Sequence, residues 1–120
     1  RVINLFKRIS ELPFWMRSAI FIVVSLVLLD AGLRPQPIPQ VFDQEDKLHH
    51  LVGFMALSFT CVLAFPRIRL RWVALGCLVI GISIEAAQGV MPLRTASPYD
   101  MLANSAGVLL GLLTAWRMVR

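Results

Sequence analysis

The sequence predicts an all-α fold, an integral membrane four-helix bundle with both termini cytoplasmic, and three observations predict it. Of its 120 residues, 58% are hydrophobic and only 16% charged, which is too apolar for an ordinary soluble domain. Four apolar segments, 14–33, 48–65, 72–91 and 101–119, each approach the roughly 20 residues that cross about 30 Å of hydrocarbon. They lack the alternation of half-buried strands, so they read as helices. The basic residues fall mostly on one side of these segments. Together the segments make a single membrane domain over residues 1–120.

Helix one, 14–33, follows Arg1, Lys7 and Arg8. A basic start before an apolar run also suits a secretory leader, but no small-residue cleavage site precedes Leu33, so the segment is expected to remain as an anchor. The connection 34–47 carries Pro35, Pro37 and Pro39, whose fixed φ favours an extended polyproline-like path. Helix two, 48–65, is followed by the short link 66–71, and helix three, 72–91, by the link 91–99. Links this short make their helices antiparallel neighbours. Helix four, 101–119, ends among Arg117 and Arg120.

Arg1, Lys7, Arg8, Arg17, Arg67, Arg69, Arg71, Arg117 and Arg120 lie on one side, against Arg34, Lys47 and Arg94 on the other. By the positive-inside rule both termini are cytoplasmic. Trp15, Trp72 and Trp116 fall at the same boundary, where indole rings settle among headgroups. The net charge of +5 is therefore a topology signal, and nucleic-acid binding is set aside. Cys61 and Cys77 sit in apolar helices without metal-type spacing and read as packing residues. No phosphate-binding glycine loop, zinc motif or nucleophile elbow is present, so no cofactor or metal is expected.

The polar residues of the apolar segments form a pattern. Glu85 lies inside a span, where a carboxylate is unfavourable by roughly 2.5–3.5 kcal/mol on insertion scales and so faces a protein interior or a wet cavity. Gln88 shares its face. Asp46, Lys47 and His50 open helix two and share a side. Asp100 and Asn104, four apart at the start of helix four, are continued by Gly107 and Gly111. Arg94 and Ser97 occupy the link between helices three and four. All of these fall in the outer half of the bilayer or just above it, and they would converge on one patch. Each also has a plainer reading. Asp46 and Lys47 suit a solvated helix start, and Asp100 a first-turn carboxylate. His50 suits a packed histidine bonded to a nearby carbonyl. Gln88 and Asn104 suit clamps between helices, and Gly107 with Gly111 a close packing face.

The run Asp46-Lys47-Leu48-His49-His50, then Glu85-Ala86-Ala87-Gln88, then Arg94, Ser97, Asp100, Asn104, Gly107 and Gly111 resembles the VanZ-like family over residues 46–111. Its pattern there is D-K-x-x-H, E-x-x-Q, R-x-x-S-x-x-D-x-x-x-N-x-x-G-x-x-x-G. The extra imidazole at His49 is not required by that pattern. The resemblance implies a small multi-pass protein of the bacterial cytoplasmic (inner) membrane linked to glycopeptide (teicoplanin) resistance, and it names no reaction.

Lys47 and Arg94 supply cations, and His50 is titratable. Gln88 and Asn104 supply amide donors suited to a phosphate or carboxylate, with Glu85, Asp100 and Ser97 beside them. The first expectation is binding of a phosphorylated envelope lipid or cell-wall precursor such as a polyprenyl phosphate. An alternative is an enzyme acting on a lipid headgroup, with Glu85 or His50 as acid or base, although no activated nucleophile is evident. A structural or partner-binding membrane protein is the third. Proton conduction or transport would need polar residues along the whole crossing, and the inner halves offer only Ser58, Ser83 and Thr114, unless a homo-oligomer surrounds a pore.

Overall fold

A computed structural model describes residues 2–34, 39, 41, 45–92 and 97–119. Five helices follow in order: α1 (Val2–Ser10), α2 (Phe14–Leu33), α3 (Glu45–Ala64), α4 (Leu70–Val90) and α5 (Pro98–Val119), with no strand among the described residues. α2 to α5 overlap the four apolar segments, with α3, α4 and α5 each beginning two or three residues earlier than expected, and α1 is an addition to them. Lys7 and Arg8 occupy its last turn, where cations favour the negative end of the helix dipole. Leu12 precedes Pro13, whose ring disfavours helical backbone in the residue before it. The chain therefore leaves α1 and re-enters a helix after Pro13, which stands at φ −56° and ψ 150°.

Among the described residues, α2, α3 and α4 are each long and apolar enough to cross a membrane. The 22 residues of α5 are long enough, but Asp100, Asn104, Ser105 and Arg117 dilute its apolar character. The outward faces agree with a lipid surround. Val23, Leu26, Leu102 and Leu109 are 58–67% exposed, and α2 buries no residue at all.

Between helices in lipid the hydrophobic effect supplies little, so close packing and interhelical hydrogen bonds must hold them. The largest interface is between α3 and α5, not between sequence neighbours. The two run parallel, since His50 meets Asn104 and Ser58, two turns on, donates to the Val108 carbonyl at 3.1 Å. Glycines allow this approach. A Cβ on Gly107 would overlap the Leu51 carbonyl oxygen, and one on Gly111 would overlap Ser58 Oγ and the Met55 carbonyl oxygen. Phe54, Leu57, Val62, Val73, Cys77, Ile84, Val108, Leu112 and Ala115 form the core. At one end Arg17 donates from Nη1 to the Leu63 carbonyl at 2.6 Å and from Nε to the Leu12 carbonyl at 2.9 Å. It thereby ties the start of α2 to unsatisfied carbonyls at the end of α3.

Gly111→Ala is expected to lower unfolding stability in detergent by about 1–3 kcal/mol through overpacking against backbone that cannot move aside. Gly76→Ala, where a Cβ meets nothing within 4 Å, is expected to be neutral or slightly stabilising. Thermal unfolding of both variants checks the pair.

Candidate functional site

Because α3 and α5 run parallel, their N-termini lie together, and the C-terminal turns of α4 arrive beside them from the other direction. Polar side chains gather at this end. α5 begins with Ser97-Pro98: the Ser97 hydroxyl accepts the Tyr99 backbone N–H at 3.2 Å, and Pro98 occupies the first helical position, where its missing N–H costs nothing. The Ser97 backbone N–H is thus left at the positive end of α5, and it donates to Glu85 Oε2 at 3.0 Å. This is how a carboxylate only 6% exposed is held within α4. Its other oxygen, Oε1, is buried and accepts no hydrogen bond among the described residues.

Asp100, in the first turn of α5 and 6% exposed, draws two α3 side chains toward it. Lys47 Nζ lies 3.3 Å from Oδ1 and His50 Nε2 3.7 Å from Oδ2. The Lys47 contact is a Coulombic one, because among the described residues Asp100 Oδ1 has no partner of hydrogen-bonding geometry. Lys47 Nζ also pairs with Asp46 Oδ2 at 2.9 Å.

On the other side of the imidazole, His50 Nδ1 lies 2.7 Å from Asn104 Oδ1. An amide oxygen can only accept, so Nδ1 carries the proton, and in the neutral ring Nε2 presents a lone pair. Asn104 is fully buried, and its amide nitrogen points to Met101 Sδ at 3.7 Å. His50, Glu85 and Asp100 each place one potential donor atom within 4.8 Å of the others. No local spacing in the sequence could show this set, because each member comes from a different helix.

The structure therefore brings together Asp46, Lys47, His50, Glu85, Asp100 and Asn104, with Ser97 contributing its backbone. Three expectations are revised or left aside. Gln88 turns away from Glu85 and donates to the Gly32 carbonyl on α2 at 2.8 Å, so it clamps two helices. The Ser97 hydroxyl is used as a cap. Arg94 lies outside the described residues. His49 is on the exposed side of α3, 3.5 Å from Glu45 Oε1, which leaves His50 as the inward histidine. An open apolar groove lined by Leu70, Arg71, Ala74, Leu109, Leu112 and Trp116 lies between α4 and α5 at the opposite end, away from the polar cluster.

Glu85→Gln keeps an oxygen for the Ser97 N–H and is expected to fold normally. Glu85→Leu leaves that N–H without a partner and is expected to lose about 1–3 kcal/mol; unfolding of the two variants in the same detergent separates hydrogen bonding from charge.

The family model described as VanZ/LLP1 matches residues 1–119. No curated protein and no solved structure matches the chain.

Proposed function

The chain belongs to the VanZ/LLP1 family, and from that premise and the geometry of its polar end we propose that it binds the phosphorylated headgroup of an envelope lipid or cell-wall precursor. The observation that carries this reading is the gathering of Lys47, His50 and Asn104 where the N-termini of α3 and α5 converge. Helix N-termini favour anions through free N–H groups and the dipole, and a lysine adds a mobile point charge.

In this reading α2 to α5 form a four-helix membrane bundle with both termini cytoplasmic, and α1 lies along the inner surface. The distribution of basic residues supports that orientation, in which the polar end would lie at the outer leaflet of a bacterial inner membrane. The headgroup meets the polar end while its acyl or polyprenyl chain lies along the exposed apolar faces. Interference with glycopeptides such as teicoplanin would then follow from engagement of envelope precursors on that side. A second reading, an acid–base enzyme acting on such a headgroup, is favoured by one feature: Asn104 fixes the His50 tautomer while Nε2 faces Asp100, the arrangement of an oriented base.

The binding reading is checked by thermal unfolding in detergent with undecaprenyl phosphate or phosphatidylglycerol. A ligand at one hundred times its Kd stabilises the folded state by about 2.7 kcal/mol. Lys47→Ala is expected to lose that protection. Arg71→Ala, at the opposite end, is expected to keep it. Equal protection of both variants would show only general attraction between cationic protein and anionic lipid.

A further inference from the structure

Among the described residues of the polar end, carboxylates outnumber cations, an unusual balance for a site that takes an anion. Among the described residues Asp46 and Asp100 share one ammonium, Lys47, and Glu85 clusters with Asp100 beside them. With all three carboxylates ionised the surplus is two negative charges. The N-termini of α3 and α5 together offset the equivalent of roughly one. Glu85 Oε1 is buried without a hydrogen-bond partner among the described residues, in a residue more than nine-tenths buried, and it belongs to the group that clusters with His50 and Asp100.

The imidazole is prepared in a specific way. Nδ1–H is donated to the Asn104 amide oxygen at 2.7 Å, leaving the Nε2 lone pair directed at the cluster. Metal-bound histidines are held in this manner, with the second ring nitrogen donating to a carboxylate, carbonyl or water that fixes the tautomer. Nε2 then stands 3.7 Å from Asp100 Oδ2, a separation too long for a hydrogen bond. Two ligands bound at about 2.0–2.2 Å to one tetrahedral zinc are separated by roughly 3.4 Å, so a small closure would bring this pair to ligation distance. Glu45 and His49 take no part, since they lie one turn apart on α3 and face each other, with Glu45 Oε1 3.5 Å from His49 Nε2.

We propose that His50 Nε2, one carboxylate oxygen of Glu85 and one of Asp100 bind a divalent transition-metal ion. A mixed set of one nitrogen and two oxygen donors suits Zn²⁺ and Mn²⁺, with Zn²⁺ the tighter. Three protein ligands leave a further position for water or for a phosphate oxygen. The ion would reconcile carboxylates with an anionic headgroup by standing between them, and Lys47 would remain beside Asp100 as a second cation. The metal site itself stands apart from the headgroup reading; only the occupant of the open position rests on it.

The test is calorimetric titration of the untagged, chelator-stripped full chain in detergent with ZnCl₂ and with MnCl₂ alone. One Zn²⁺ per chain at micromolar or lower Kd is expected, with weaker Mn²⁺. His50→Ala and Asp100→Asn, checked for folding by circular dichroism, should each weaken Zn²⁺ at least tenfold, and Asn104→Leu about 10–100-fold through loss of the imidazole's partner. His49→Ala should leave the affinity within twofold. Wild-type protein that is folded yet takes up no stoichiometric metal would overturn the proposal, as would equal losses in His49→Ala and His50→Ala. A second titration with inorganic phosphate present separates the two ideas. Tighter Zn²⁺ uptake supports both. Uptake indifferent to phosphate, with no lipid protection, keeps the metal site and removes the headgroup reading. Lipid protection of a protein that takes no metal does the reverse.

Discussion

Gly107 and Gly111 remove two side chains from the face of α5 that meets α3, and the backbone of α3 at Leu51 and Met55 fills the space. Most of the polar chemistry follows from that approach. It holds the two helices parallel and in register, so that Ser58 reaches the Val108 carbonyl in the middle of the interface and His50 reaches Asn104 near its end. Parallel helices joined through an intervening third must place both N-termini on one side, and here those N-termini carry Asp46, Lys47 and Asp100. In lipid, where apolar side chains gain little by leaving the hydrocarbon for one another, a backbone contact of this kind is a principal means of fixing such a geometry.

Glu85 shows how the fold accommodates a charge-bearing group inside a helix that is otherwise long and apolar enough to span. Its partner among the described residues is a backbone amide, and the amide is available because Ser97 and Pro98 open α5 there. The N-terminal end of α5 adds the favourable side of its dipole. Gln88, one turn further along α4, satisfies the Gly32 carbonyl instead. Two polar residues on one helical face thus serve different neighbours, one at the polar end and one as a clamp to α2.

The long helices were legible because hydrocarbon thickness sets a length that composition reveals, and helix one, expected over 14–33, has those bounds as α2. α3 begins at Glu45, earlier than its apolar run, because Glu45 and Asp46 lower hydropathy while favouring a first helical turn. The nine-residue α1 had no such signature. At the polar end, the shared faces of Lys47 with His50 and of Asp100 with Asn104 could be read from helical spacing. What they touch could not, because the α3–α5 pairing joins segments about fifty residues apart. The capping role of Ser97 did have a local signal in Ser97-Pro98, a favoured start of a helix. The divergence of Glu85 and Gln88 had none, since it depends on where α2 and α5 lie.

The chemistry of the polar end turns on His50: its Nδ1 must donate to Asn104 so that Nε2 can face Glu85 and Asp100 with a lone pair. Nitrogen-15 NMR of histidine-labelled protein in detergent at pH 8, above the ordinary imidazole range, reads this directly. The His50 signals, assigned with His50→Ala and set against those of His49, should show a protonated Nδ1 and a bare Nε2. A protonated Nε2 with a bare Nδ1 would mean that His50 donates to Asp100 as a simple structural bond, and the polar end would then offer no imidazole donor to a ligand.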